Sequence, residues 1–229
     1  MKPQDKKKKK WVISFLALSS VLLANCENQS LNRRIQNLSG NADRTIVILG
    51  DSITAGYGLN PRQAYPYLLS EKFDLPILNR GVSGDTTADG LARLKRDVLS
   101  EKPWLVIIAL GANDFLTQVP TIETEKNLKT IVRQIQKEKA IVVILGMNFS
   151  SFTDEYQEMY TRVARETDSY LIPQVLQGVL DNSQYSQADM IHPNALGQEI
   201  IANRIAEALK PILEKSMVEN NKLLINLSS

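Results

Sequence analysis

One histidine, His192, and one cysteine, Cys26, are all that the 229 residues hold of these two side chains. A lone cysteine excludes an intramolecular disulfide. The CxxC pairs and HExxH pattern of zinc sites are absent, as is the phosphate-cradling G-x-x-x-x-G-K-[ST] loop. No metal or organic cofactor is therefore implied. Long hydrophobic runs are missing too. The uncharged, mostly apolar run from Trp11 to Ala24 has fourteen residues, short of the roughly 20 that span a bilayer. A broad basic surface is also lacking. The formal charge of +2 rests on the first 25 residues, which hold six lysines and one acid, and the remainder carries 21 basic against 24 acidic residues. Nothing beyond the N-terminus then favours a polyanionic partner, and nucleic-acid binding is not expected.

What is present divides the chain. An apolar fraction of 43% suffices for a sizeable core and excludes a disordered or fibrous chain. Lys6 to Lys10, followed by the Trp11–Ala24 run, have the layout of an export signal over 1–25. Leu23-Ala24-Asn25-Cys26 resembles the lipobox of bacterial lipoproteins, whose cysteine receives lipid and becomes the mature N-terminus, although Asn25 replaces the usual small residue. The resemblance makes Cys26 a lipidation candidate and implies an exported protein, periplasmic or membrane-anchored. An ordinary cleaved signal and an uncleaved anchor remain the alternatives. Residues 26–44 are polar and read as a tether, the folded domain is expected over 45–215, and 216–229 form a tail that docks or dangles.

Within the domain, short apolar runs alternate with longer amphipathic ones. Thr45–Leu49, Pro76–Asn79, Leu105–Leu110, Ile141–Leu145 and Tyr170–Pro173 are predicted strands. Helices are predicted near 62–72, 88–101, 123–138, 154–168 and 195–213. Strands that are apolar throughout, rather than at every second residue, suit a parallel sheet covered on both faces. The alternation predicts a three-layer α/β/α sandwich around a central, mainly parallel five-stranded sheet, with right-handed crossovers.

Polar clusters follow the first three strands: Gly50-Asp51-Ser52, Gly81-Val82-Ser83-Gly84-Asp85-Thr86 and Gly111-Ala112-Asn113-Asp114. Open parallel sheets place their sites at the carboxyl ends of the strands, so these clusters should converge. A fourth, Asp189-Met190-Ile191-His192-Pro193, precedes the last predicted helix. Imidazole, with an ordinary pKa near 6.5, exchanges protons at neutral pH. A carboxylate three residues away can hold one ring nitrogen protonated and leave the other free as base. Ser52, where a strand turns into a helix, could offer its hydroxyl to that base or simply cap the helix. Asn113 can donate a side-chain N–H to an oxyanion, and Gly84 a backbone N–H with nothing in the way. Turn formation is the alternative role of both.

Taken together, Gly50-Asp51-Ser52, Gly84, Asn113 and Asp189-Met190-Ile191-His192 resemble the four blocks of the SGNH, or GDSL, hydrolase superfamily. The stretches ILGDSITAGYGL (48–59), GVSGDTTADGLARL (81–94), GANDFL (111–116) and IHPN (191–194) are similar to its thioesterase I / lysophospholipase L1 / arylesterase group. The resemblance spans about 45–212 and implies the flavodoxin-like SGNH-hydrolase fold. It further implies a catalytic triad of Ser52 as nucleophile, His192 as base and Asp189 as orienting carboxylate. The oxyanion hole would comprise the N–H groups of Ser52 and Gly84 and the side chain of Asn113, with Asp51 tying the nucleophile turn. The expected activity is cleavage of small acyl esters or thioesters, lysophospholipids included. A carbohydrate O-acetylesterase of the same fold is the alternative, and a non-catalytic lipid- or glycan-binding lipoprotein the minor one. Phe115-Leu116 and Phe149–Phe152 are loop residues that could line an acyl groove or pack ordinarily.

Overall fold

The computed structural model describes residues 35–37, 45–147 and 154–227, with side chains to residue 215 and none for Asp154. The leader, Cys26 and Phe149–Phe152 lie outside the described residues. The chain forms two units, Met1–Ile35 and Gln36–Ser229, and the fold below belongs to the second.

Five strands form the centre: β1 (Ile46–Gly50), β2 (Ile77–Gly81), β3 (Leu105–Ala109), β4 (Ile141–Leu145) and β5 (Tyr170–Ile172). Every residue of β1, β3 and β4 is buried, which is why these strands are apolar throughout. All pairings are parallel, in the order β2-β1-β3-β4-β5. The chain moves one way from β1 to β2 and the other way from β1 outward through β3. With right-handed crossovers, that reversal sends helices to opposite faces and opens a crevice between the carboxyl ends of β1 and β3. Gly50 stands in register with Gly81 on one side and Ala109 on the other. The three predicted clusters therefore leave the sheet at one level.

The helices are α1 (Ser52–Ala55), α2 (Tyr65–Phe73), α3 (Thr87–Asp97), α4 (Ala112–Leu116), α5 (Thr121–Lys137), α6 (Asp154–Glu166) and α7 (Ala195–Leu227). α2 packs on α7, whereas α3, α5 and α6 pack side by side, completing the expected three-layer sandwich. Leu128, Ile131, Val132 and Ile135 of α5 are fully buried at three- and four-residue spacing, worth roughly 1.5–3 kcal/mol each. α3 begins with a capping box, in which Thr86 and Asp89 satisfy each other's backbone N–H groups.

Several boundaries differ from expectation for local reasons. α2 starts at Tyr65 rather than 62 because Pro61–Gln63 forms a separate 3-10 turn capped by Asn60. α3 ends at Asp97, since Val98 leaves helical geometry and a 3-10 turn, Leu99–Glu101, follows. α7 runs to Leu227, through Pro211 and into the expected tail. Beyond Pro211 the chain has no further proline or glycine, and one missing N–H does not stop a helix that is packed upstream. Two described residues of the expected tether are hydrogen-bonded to the domain. The Gln36 N–H donates to the Asp168 carbonyl, and Asn37 Nδ2 donates to the carbonyls of Gln136 and Ala140. Among the described residues, no helix is long and apolar enough to cross a membrane.

Candidate active site

The turn that carries Ser52 is built by Asp51. Its backbone is extended and its Oδ1 accepts the Ile53 N–H at 3.0 Å, making Asp51 the N-cap of α1. Ser52 is thus relieved of the capping role that its position suggests, and its hydroxyl points elsewhere. The Gly56 and Tyr57 N–H groups close the end of this four-residue helix on the Ser52 and Ile53 carbonyls, and side chains supply further donors. Asn79 Nδ2 binds the Thr54 carbonyl and Gln198 Nε2 the Ile53 carbonyl, so strand β2 and helix α7 both brace the turn.

Asp51 is 1% exposed, and its Oδ2 has no hydrogen-bond partner among the described residues. Burial, outweighing the hydrogen bonds from backbone N–H groups and reinforced by the charges of Asp85 and Asp114, pushes its carboxyl up to about 7. The folded protein then retains a proton between about pH 4 and 7 that the unfolded chain releases. Stability contributed by the neutral acid falls as pH rises through that window. Asp51→Asn preserves the cap acceptor without the charge. Urea denaturation should show little difference from the parent at pH 4 and a relative gain for the variant at pH 8. A pH-independent difference would exclude a buried neutral acid at Asp51.

The segment that carries Asp189 and His192 lies between β5 and α7. The Ser186–Pro193 bridge closes it, and the Gln187 N–H donates to the His192 carbonyl at 2.8 Å. Asp189 Oδ1 accepts the N–H groups of Ile191 and His192, both at 3.0 Å, while Met190 adopts φ +57. This tight loop aims both functional groups. Asp189 Oδ2 lies 2.7 Å from His192 Nδ1, and His192 Nε2 lies 2.9 Å from Ser52 Oγ. Burial raises the Asp189 carboxyl, but the hydrogen bonds from the His192 ring and from the two N–H groups outweigh it and bring it down to about 2. Asp189 is therefore charged at neutral pH. With Nδ1–H given to the carboxylate, Nε2 is left as an acceptor facing the Ser52 hydroxyl. The Tyr57 ring lies against the imidazole, centroids 4.5 Å apart.

The loops after β2 and β3 form the remaining wall. Gly84 has φ +86, with no atom within 4 Å of where a Cβ would stand. Glycine is needed there for the backbone and leaves its N–H approachable. Asn113 Nδ2 donates to the carbonyl of Asp85, the next residue, at 2.9 Å. Its second amide N–H carries no other bond among the described residues. Ser52, Asp189 and His192 thus meet directly, and Asn113 meets the loop of Gly84.

Two supporting groups escape a reading of the clusters. Arg93, 8% exposed on α3, binds Asp85 Oδ2 through Nε at 2.5 Å, and the carbonyls of Gly50 and Arg80 through Nη2 at 3.0 and 2.9 Å. Its signal in the sequence is a charge on the stripe of Gly90 and Leu94, both buried. Gln187, in the segment of Asp189 and His192, carries no such signal.

A serine, an imidazole and a carboxylate in hydrogen-bonded sequence, at the switch point of a parallel sheet, define a hydrolase of the nucleophilic serine class. Residues 48–200 match the model of the GDSL-like Lipase/Acylhydrolase family. The chain is 34% identical over 182 residues to the protein named Esterase TesA of Pseudomonas aeruginosa, covering 75% of this chain and 90% of that protein. It is 32% identical over 176 residues to Thioesterase 1/protease 1/lysophospholipase L1 of Escherichia coli K12, covering 74% and 85%. A crystal structure of TesA superposes with a TM-score of 0.71 at 32% identity, over 74% of this chain and 99% of that one. The chain belongs to the GDSL-like lipase/acylhydrolase family and is a carboxylic ester hydrolase of the serine esterase and thioesterase type.

Proposed function

We propose that this enzyme cleaves small to medium acyl esters or thioesters, lysophospholipids included, through an acyl-enzyme on Ser52. The line Asp189–His192–Ser52, with contacts of 2.7 and 2.9 Å, carries the reading. His192 Nε2 takes the Ser52 proton as Oγ attacks the acyl carbon, and the resulting imidazolium is held by Asp189. The negative charge that develops on the acyl oxygen meets the N–H groups of Ser52 and Gly84 and the Asn113 amide. Each such donor is worth about 3–4 kcal/mol of barrier lowering. Collapse expels the alcohol or thiol, protonated by His192. Water, deprotonated by the same imidazole, then releases the acid and restores Ser52.

Chromogenic esters from acetyl to dodecanoyl, with a thioester and an acetylated sugar alongside, test the substrate class. Turnover should favour the acyl esters and thioesters, and a fluorophosphonate probe should label the parent but not Ser52→Ala. Preference for the acetylated sugar would move the enzyme to the O-acetylesterase reading. Absence of both turnover and labelling would leave only a binding protein. The leader supports export with a lipid tether at Cys26, and the intact mass of the exported protein tests that modification.

A further inference from the structure

We infer that Gln187 is a positioning residue that keeps the imidazole of His192 within reach of Ser52. The inference rests on the assignment of these two residues as base and nucleophile. They are 140 residues apart in the chain, and His192 lies outside any helix or strand. The contacts that shape its loop, namely Ser186–Pro193, Gln187 N–H to His192 O, Met190 N–H to Gln187 O and the two N–H groups on Asp189, all stay within the loop. They give the loop its form, and the gap to the Ser52 turn is spanned by other bonds, one of them from Gln198 Nε2 in the first turns of α7 to the Ile53 carbonyl.

The side chain of Gln187 crosses that gap. Its amide has two N–H donors. One goes to the Tyr57 carbonyl at 2.8 Å and the other to the Pro193 carbonyl at 3.1 Å. Tyr57 lies just beyond α1, and its own N–H donates to the Ser52 carbonyl at 3.0 Å. A closed ring of hydrogen bonds results: Ser52 to Tyr57, Tyr57 to Gln187, Gln187 to His192, and His192 back to Ser52 Oγ. Three of its links run through backbone or amide groups that do not titrate, and these hold the fourth in place. The ring also sets Tyr57, whose aromatic face lies on the imidazole.

The surroundings fit an amide closely. Gly58, next to Tyr57, has φ +75, which favours glycine, and a Cβ there would stand 2.7 Å from Gln187 Oε1, so the amide lies directly against this turn. Both acceptors are carbonyls, which a carboxylate at this position would repel. Glutamate has nearly the same size as glutamine and no N–H to give, so it separates donation from packing.

The test uses Gln187→Ala and Gln187→Glu, each in the parent and in His192→Ala, with a short-chain chromogenic ester. In the parent background kcat should fall about 10- to 100-fold, as expected for a misplacement of around 1 Å, with KM changed less than about twofold. In His192→Ala, where there is no imidazole to place, the same substitutions should lower the residual rate no further. Equal losses in both backgrounds would show that Gln187 acts elsewhere and would overturn the inference, as would a parent-level kcat in Gln187→Ala. If Gln187→Ala does not fold, Gln187→Glu is read in the same way. Unfolding of both would make Gln187 a stability residue and equally defeat the idea. Full activity in His192→Ala would instead remove the base assignment. An inactive His192→Ala beside a fully active Gln187→Ala removes only the role of Gln187.

Discussion

Replacing His192 with alanine is expected to lower kcat by about six orders of magnitude, the scale on which serine hydrolases lose rate when the base or the nucleophile is removed. Because His192 is the only histidine in 229 residues, no second imidazole can enter the site and mask the loss. Ser52→Ala should cost about as much, and the double variant no more than either single one, because the two groups act through one proton transfer. Asp189→Asn should be milder, about 10⁴-fold in kcat, since the amide leaves the imidazole present but presents the wrong nitrogen to Ser52. Purified enzyme, a chromogenic ester and circular dichroism of each variant suffice for the comparison. A His192→Ala variant with more than about a hundredth of the parental kcat would exclude general-base catalysis by imidazole, which alone contributes at least about that much. Losses that multiply in the double variant would separate Ser52 from His192 and break up the dyad.

Much of this site is legible in the sequence because its parts are local. An unbroken apolar strand such as Ile141–Leu145 reports burial on both faces. Gly50-Asp51-Ser52 and Gly111-Ala112-Asn113 report where strands β1 and β3 end. Asp189 and His192 lie close enough along the chain for their pairing to be read from spacing. What holds these parts together is long-range and leaves little trace. The Ser52 hydroxyl could serve as cap or nucleophile until the structure shows the cap to be Asp51, one residue earlier. Gln187 meets Tyr57 across 130 residues, and no periodicity marks that encounter. Asn37 reaches one carbonyl in the last turn of α5 and one just beyond it from within a polar stretch that reads as tether. α7 runs past the expected 213 because no proline or glycine after Pro211 stops it, and the tail's apolar residues alone do not tell a docked segment from a free one.

Arg93→Met is expected to be the most destabilising single change around the oxyanion wall, by about 3–5 kcal/mol, the usual consequence of removing one partner from a buried ion pair. Arg93 and Asp85 are both 8% exposed, so water cannot readily replace what is lost. Methionine matches the length of the arginine stem but leaves the Asp85 carboxylate without its cation and takes one donor each from the carbonyls of Gly50, which keeps the Val82 N–H, and Arg80. For a domain of this size the change corresponds to a Tm lower by roughly 6–20 °C. Adding Asp85→Asn removes the stranded charge and should restore part of that loss, whereas the two single changes summed would predict a greater one. The same pair bears on catalysis. The Asp85 carbonyl holds Asn113, its carboxylate holds Arg93, and Arg93 holds Gly50, two residues before Ser52. Loosening Arg93 therefore loosens Gly84 and Asn113 relative to Ser52, and kcat measured well below the new Tm should fall roughly 10- to 100-fold. Denaturant titration and steady-state rates on the same preparations read both effects. Undiminished stability would show Arg93 to be solvated rather than buried, and undiminished kcat in a destabilised variant would confine its role to folding.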